Sequence, residues 1–271
     1  MNAAIYQILI GTLFVVVFCI GYPMQGETKE PTLRVMSYNI HRGGVVMRKQ
    51  PLSQTAKAIR LAKADIVGIQ ETRSPRGDKL EELATLLGWN HDMGKGSQIL
   101  TRYEIVDSLY RGVKVKLDSG IHAYVFNVHL ASHPYQPYQL LEIRPRWHKH
   151  TNDLTFIKTE AEAIEWANKA RGAEIEKVLR QIKSLPDKKA PVFVVGDFNE
   201  PSHLDWTEAA AKAGRHPIKV EYPNSLAMKK AGFSDAYRTL YPDEMKNPGY
   251  TWSSFYKFDD PTTHHDRIDF V

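Results

Sequence analysis

With one cysteine, Cys19, in 271 residues, the sequence excludes a disulfide framework. It carries no internal repeat and no low-complexity tract, which excludes solenoids and collagen-like chains. Basic residues form no continuous stripe of the kind duplex nucleic acid binding requires. The longest uncharged apolar run, Ile5 to Ile20, has 16 residues, short of the roughly 20 that a spanning helix needs. Polar Gln25 to Glu30 follow it, so the run resembles a secretory h-region, although its n-region lacks Lys and Arg. Residues 1–26 are therefore expected to be a signal peptide cut after Gly21 or Gly26, with an uncleaved membrane anchor as the alternative. Bulky Phe18 before Cys19 suits a lipid-attachment site poorly. The expected location is periplasmic or secreted. The net charge of +5, with pI near 9.1, lies wholly outside this leader and favours polyanionic or phosphorylated partners.

What is present is a recurrent pattern of strands ending in polar residues. In Ala190 to Ser202, A-P-V-F-V-V-G-D-F-N-E-P-S, Val192 to Val195 are β-branched or aromatic and too few for a helix, which predicts a buried strand. Gly196 ends it. Asp197 and Asn199 follow at a spacing of two and leave an extended chain on the same side, pairing a carboxylate with an amide. Open α/β proteins place chemistry at such tips, although the same residues also satisfy backbone groups in ordinary turns. Leu33 to Ile40 reads as a strand with Asn39 near its end, Asp65 to Gln70 as one ending at Glu71, and Ile121 to Leu130 as one with His129 at its tip. Gln98 to Asp107 and Val113 to Leu117 read as further strands, consecutive and antiparallel.

Helices are predicted over Ser53 to Ala64 with Ser53 as cap, over Lys79 to Leu87 closed by Gly88, and over Thr159 to Ile182. Shorter ones are predicted around Leu204 to Ala213 and Ser225 to Ala231. Between His129 and the Asp197 strand, Ser132 to His150 carries three prolines without a clear period, which predicts an ordered loop of unusual length. Tyr250 to Ser254 and Arg267 to Val271 read as the last strands, the second carrying Asp269.

Six motifs then fall in one order: S-Y-N-I-H at Ser37 to His41, I-Q-E at Ile69 to Glu71, I-L-T-R at Ile99 to Arg102, N-V-H-L at Asn127 to Leu130, G-D-F-N-E-P-S at Gly196 to Ser202, and D-R-I-D-F at Asp266 to Phe270. Together they resemble the endonuclease/exonuclease/phosphatase superfamily of metal-dependent phosphoesterases, over roughly Leu33 to the end of the chain. The resemblance implies an α/β fold over residues 31–271, a four-layered α/β/β/α sandwich of two mixed β-sheets flanked by helices. It implies a hydrolase that cleaves a phosphoester, most simply a phosphodiester, in nucleic acid, a phospholipid headgroup or a sugar phosphate; with the leader the expectation is an exported monomer. A catalytically impaired binding protein on the same scaffold is the rival.

The candidate catalytic residues are His129, Asp197, Asn199 and Asp269. Asn39, Arg102 and Trp252 are the candidate substrate contacts, and Glu71 with the Asn39 carbonyl oxygen the candidate site for Mg²⁺ or Mn²⁺. Asp197 is placed to orient or deprotonate water, Asn199 to donate amide protons, and His129 to hold the phosphate or protonate the leaving group. By the resemblance, Asp269 would orient a histidine from a further C-terminal strand, and the chain as written is expected to lack that strand, to be poorly soluble and to be weakly active. His41 stands two residues after Asn39, where some relatives carry an acid, so a second metal ligand is left open. His264 and His265 are adjacent and point to opposite faces if extended, so a loop role is preferred; His148 and His150 read as surface residues. Arg102 could instead bridge the sheets, and Trp252 could instead be core.

Overall fold

The apolar runs of the sequence become the inner strands of two sheets. The computed structural model describes residues 32–44, 51–75, 77–93, 96, 98–145, 155–252 and 257–271, and the backbone of 14–19. The first sheet has the order β1 (Phe14–Cys19), β2 (Thr32–Asn39), β3 (Ile66–Gln70), β7 (Ile99–Thr101) and β6 (Asn90–Asp92). The second has the order β12 (Asp269–Phe270), β11 (Val192–Asp197), β10 (His122–His129), β9 (Gly112–Lys116) and β8 (Glu104–Leu109). Two short strands, β4 (Arg73–Ser74) and β5 (Gly77–Asp78), form a separate hairpin.

Both sheets follow the same sequence of directions. In each, the second and third strands run parallel and the other neighbours antiparallel, so each has one parallel pair: β2 with β3, and β11 with β10. The parallel strands end side by side, Asn39 opposite Gln70 and His129 opposite Asp197.

Helices cover the outer faces. α1 (Ser53–Leu61) and α2 (Leu80–Leu87) send Ala56, Ile59, Leu80, Leu83 and Leu87 against Met36, Tyr38 and Val67 of the first sheet. On the second sheet α5 (Ala173–Lys183) and α7 (Pro223–Lys230) pack Ile175, Val178 and Met228 on Tyr124, Phe126 and Val194. Between the sheets lie Val35, Ile66, Ile99, Val113, Val115, Val125 and Val195. Each such side chain contributes roughly 1.5–3 kcal/mol when fully buried. The result is the expected four-layered α/β/β/α sandwich. Shorter helices α3 (Gln136–Leu140), α4 (Glu160–Ala167), α6 (Glu208–Lys212) and α8 (Ala236–Leu240) complete the described chain.

A glycine between the sheets, a second within the second sheet and one polar pair set how closely the strands approach. A Cβ on Gly68 of β3 would stand 2.4 Å from Val195 Cγ2 of β11, so the sheets close to this distance only over glycine. Gly196, with φ 148°, would put a Cβ 2.0 Å from the Val128 carbonyl oxygen. Beside them Gln70 Nε2 donates to Asn127 Oδ1 at 2.6 Å, and Asn127 Nδ2 donates to the Ile69 oxygen at 2.8 Å. These bonds join β3 to β10 through the apolar middle layer.

Several expectations are corrected. Helix α1 starts at Ser53 but its cap position is Leu52, and no side chain caps it. The strand expected over Gln98 to Asp107 is two strands in different sheets, because the chain crosses between layers at Arg102 and Tyr103. The long helix over Thr159 to Ile182 exists, opened by a Thr159–Glu162 capping box, but a π-helical turn at Asn168–Gly172 divides α4 from α5. The loop after His129 contains α3. Trp252 forms a single bridge with Asp266, and residues 253–256 lie outside the described residues, as do His148 and His150. Of the expected leader only the backbone of Phe14–Cys19 is described, as the strand beside β2. No helix among the described residues is long and apolar enough to cross a membrane.

Candidate active site

The two parallel pairs deliver their polar ends to one place. Asn39 Nδ2 donates to Glu71 Oε1 at 3.0 Å within the first sheet and to Asp197 Oδ2 at 2.9 Å across to the second. One amide nitrogen therefore links the two tips. Glu71 sits just past β3 in left-handed backbone, φ 59°, a conformation that costs a non-glycine residue of order 1–3 kcal/mol and that turns its carboxylate back toward Asn39. The Arg42 backbone N–H donates to Glu71 Oε2 at 3.1 Å, and His41 Nδ1 lies 3.6 Å from the same oxygen.

On the second sheet Asp197 accepts the Asn199 backbone N–H through Oδ1 at 2.8 Å, and its Oδ2 lies 3.8 Å from His129 Nε2. Asn199 Nδ2 donates to the Leu130 oxygen at 2.9 Å, which commits one of its two amide protons and leaves the other for a ligand. Asp269 stands directly across the β11–β12 ladder from Asp197. Its Oδ1 is buried without a hydrogen-bond partner, while the Thr251 hydroxyl accepts the Asp269 and Ile268 backbone N–H groups at 3.1 and 2.9 Å.

These contacts decide where protons sit. Burial, then the charges of Asp197 and Glu71, push the Asp269 carboxyl well above the usual carboxylate range, with only the Thr251 hydrogen bond opposing. Asp197 is also raised by burial, but His129, the Asn39 amide and the Asn199 N–H pull it down. The pair titrates as a unit. Because Asp197 has the donors and Asp269 has an unpartnered oxygen, Asp269 is pushed further up than Asp197.

A family model for the Endonuclease/Exonuclease/phosphatase family matches residues 36–271. The chain belongs to this family. Uncharacterized protein F14F9.5 of Caenorhabditis elegans is similar to it, 29% identical over 261 residues that cover 88% of this chain and 77% of that protein. Among solved structures, an endonuclease/exonuclease/phosphatase family protein from Bacteroides thetaiotaomicron aligns with a TM-score of 0.37 and 16% identity. That alignment covers 64% of this chain and 65% of the other. Members of this family are generally hydrolytic phosphoesterases and typically depend on divalent metals, so membership suggests a hydrolase of the phosphoesterase or nuclease type.

The donor set suits a hard cation. Glu71 and Asp197 meet on one amide, and no lysine or arginine among the described residues pairs with Glu71, Asp197 or Asp269. No group of three His, Cys, Asp or Glu among the described residues is arranged as a metal cage. Magnesium needs none, since it binds through one or two carboxylates with water and substrate oxygens completing its shell. The expected Asn39 ligand differs in orientation: its Oδ1 accepts the His41 backbone N–H at 2.9 Å, and its nitrogen faces the acids. A 180° flip of the amide would present the oxygen instead.

Two expected substrate contacts are not brought to this cluster. Arg102 follows Thr101, which pairs with Ile66 at the start of β3, so it lies at the opposite end of the first sheet. There its Nε contacts Asp65 Oδ1 at 2.9 Å beside β3 while its Nη2 lies 3.4 Å from Asp118 Oδ2 after β9, which spans the two sheets as the sequence left open. Trp252 donates its indole N–H to the Tyr138 hydroxyl at 3.0 Å and packs beside Tyr135, Tyr138 and Ile268. His264 lies 3.6 Å from Asp266, and His265 stacks on Phe258, away from the Asp197 cluster. Thr251 is a contributor that sequence reading missed. An isolated threonine before a tryptophan carries no signal, and only the pairing of its segment with Asp266 to Asp269 places it under Asp269.

Proposed function

We propose that the protein is an exported, divalent-metal-dependent phosphodiesterase that uses an activated water. The observation that carries this reading is the single Asn39 nitrogen bonded to acids of both sheets, with His129 beside the second. Glu71 would hold Mg²⁺ or Mn²⁺, with water and substrate oxygens completing the shell and Asn39 left bonded to both acids. The bound cation would neutralise charge on the phosphate and on the departing oxygen. Asp197, whose donors oppose the upward push of burial, takes a proton from water, and the resulting hydroxide attacks phosphorus. The free amide proton of Asn199 holds a phosphate oxygen, and His129, a third exposed, gives a proton to the leaving group or binds the phosphate. Asp269, pushed further up, leaves Asp197 as the base.

Hydrolysis of bis(p-nitrophenyl) phosphate with Mg²⁺ and then with chelator tests this reading. Chelator-sensitive turnover supports it. A folded protein with none on any phosphoester would instead be a binding protein on the family's scaffold. Export rests on Ile5 to Ile20 alone. Expression in a bacterium should give periplasmic protein beginning near Tyr22 or Glu27, whereas full-length chain in membranes would identify an anchor.

A further inference from the structure

The strands β10 and β11 stop at His129 and Asp197, and with them stops the ladder that fixes the two chains. Beyond that point the position of the His129 ring and the Asn199 amide depends on what ties the outgoing segments together. Two bonds join them directly: Leu130 N–H to the Asp197 oxygen at 2.9 Å, and Asn199 Nδ2 to the Leu130 oxygen at 2.9 Å. A third tie comes from a residue in neither strand. Arg171, 1% exposed, lies in the π-helical turn Asn168–Gly172. Its Nε donates to the Ala131 oxygen, its Nη2 to the Pro134 oxygen and its Nη1 to Gln136 Oε1, each at 2.7 Å. The same Nη1 is 3.9 Å from Glu200 Oε2, and Glu200 follows Asn199 directly and is itself held by the Asn224 backbone and side-chain amides at 2.9 and 2.6 Å.

One planar group thus grips the segment after His129 on three atoms and the segment after Asn199 through a carboxylate. π-Turns inside α-helices are frequent at functional sites, and this one sets Arg171 between the two segments. Arginine is required for this role. A lysine would bring the charge near Glu200 but has no rigid fork to reach three acceptors at once.

We infer that Arg171 is a positioning residue that holds His129 and Asn199 in register over the reacting phosphate. The inference rests on the function proposed above for the second sheet's tip, and it makes no claim on the first sheet, where Glu71 lies.

Two variants test it: Arg171→Lys, and the double variant Arg171→Met with Glu200→Gln, which removes both buried charges together so that neither is left unpaired. In whichever folds, kcat for bis(p-nitrophenyl) phosphate should fall about 10²-fold, the effect of displacing a catalytic group by about 1 Å, while KM changes less than about threefold. The Mg²⁺-induced rise in melting temperature should be kept, because Glu71 is untouched. Side-chain ¹⁵N resonances of His129 and Asn199 should move while those of Asn39 stay. A folded variant with kcat within about twofold of the parent, or unmoved His129 and Asn199 resonances, overturns the inference. So does a fall in kcat accompanied by loss of the Mg²⁺ response, which would mark a general loss of structure. If the parent protein hydrolyses no phosphoester, the proposed function falls, and the resonances alone still decide the role of Arg171.

Discussion

The two sheets share a strand order and a pattern of directions, yet their tips are built for different tasks. On the first, Glu71 and His41 have side chains 30% and 39% exposed, and Glu71 is gripped by a backbone N–H from a left-handed turn. On the second, Asp197 and Asp269 are buried across one ladder, and burial pushes both carboxyls up. A solvent-facing carboxylate can exchange water for a cation. A buried carboxylate beside another acid is tuned for moving protons. Duplicating an architecture therefore left the chemistry free to diverge, since the last residue of each strand decides it.

The comparison breaks most visibly at the buried tip. Asp197→Asn, and separately His129→Ala, should lower turnover by about 10² to 10⁴ with the fold intact, as expected when a proton-transfer group is removed. A loss under about threefold at either position would take that residue out of the mechanism. Next in size is the exposed tip. Saturating Mg²⁺ at about 100 times its dissociation constant should stabilise the chelator-stripped protein by roughly 2.7 kcal/mol, and Glu71→Gln should erase that gain in a thermal melt. An equal response in the variant would place the cation elsewhere.

A smaller effect separates the sheets by pH. Burial pushes the Glu200 carboxyl from 4.5 up to about 7, against Arg171 and the two Asn224 donors. A carboxyl with a raised folded-state pKa contributes stability that is complete below its unfolded value and is lost as pH rises through the folded one. Melting temperature should therefore fall between pH 4.5 and 7 in the parent relative to Glu200→Gln. A difference between the two proteins that stays constant with pH would show that Glu200 does not titrate there. Smallest of all is Arg102→Ala. Its half-exposed pair with Asp65 contributes about 1 kcal/mol or less, and activity should stay within about twofold. A tenfold loss would extend the site to the far end of the first sheet.

Strand tips were legible in the sequence because short apolar runs end abruptly in Asn39, Glu71, His129 and Asp197, and period alone locates such ends. The division of strands between sheets was not. Gln98 to Asp107 contains no glycine or proline to mark a turn, and the turn at Arg102 and Tyr103 is made by tertiary contacts with Asp65. The same limit hid the role of Arg171. In sequence it is one more charged residue of a helix, and only the π-turn and the returning chain after His129 reveal it as buried. His41 was visible as a candidate two residues after Asn39, but its approach to Glu71 depends on the turn that follows.

Gln70 and Asn127 matter here for a mechanical reason. Contacts between valine and isoleucine faces have no preferred direction, so two apolar sheets resist separation far better than they resist sliding past each other. The Gln70 to Asn127 bond at 2.6 Å, one residue before Glu71 and two before His129, is directional and opposes shear. It acts as the dowel of the joint: the span between Glu71 and His129 is set by an amide pair that includes neither. Tolerances at the gap between the two tips are thus inherited from the interior, and any drift of one sheet along the other would move Glu71 out of line with His129.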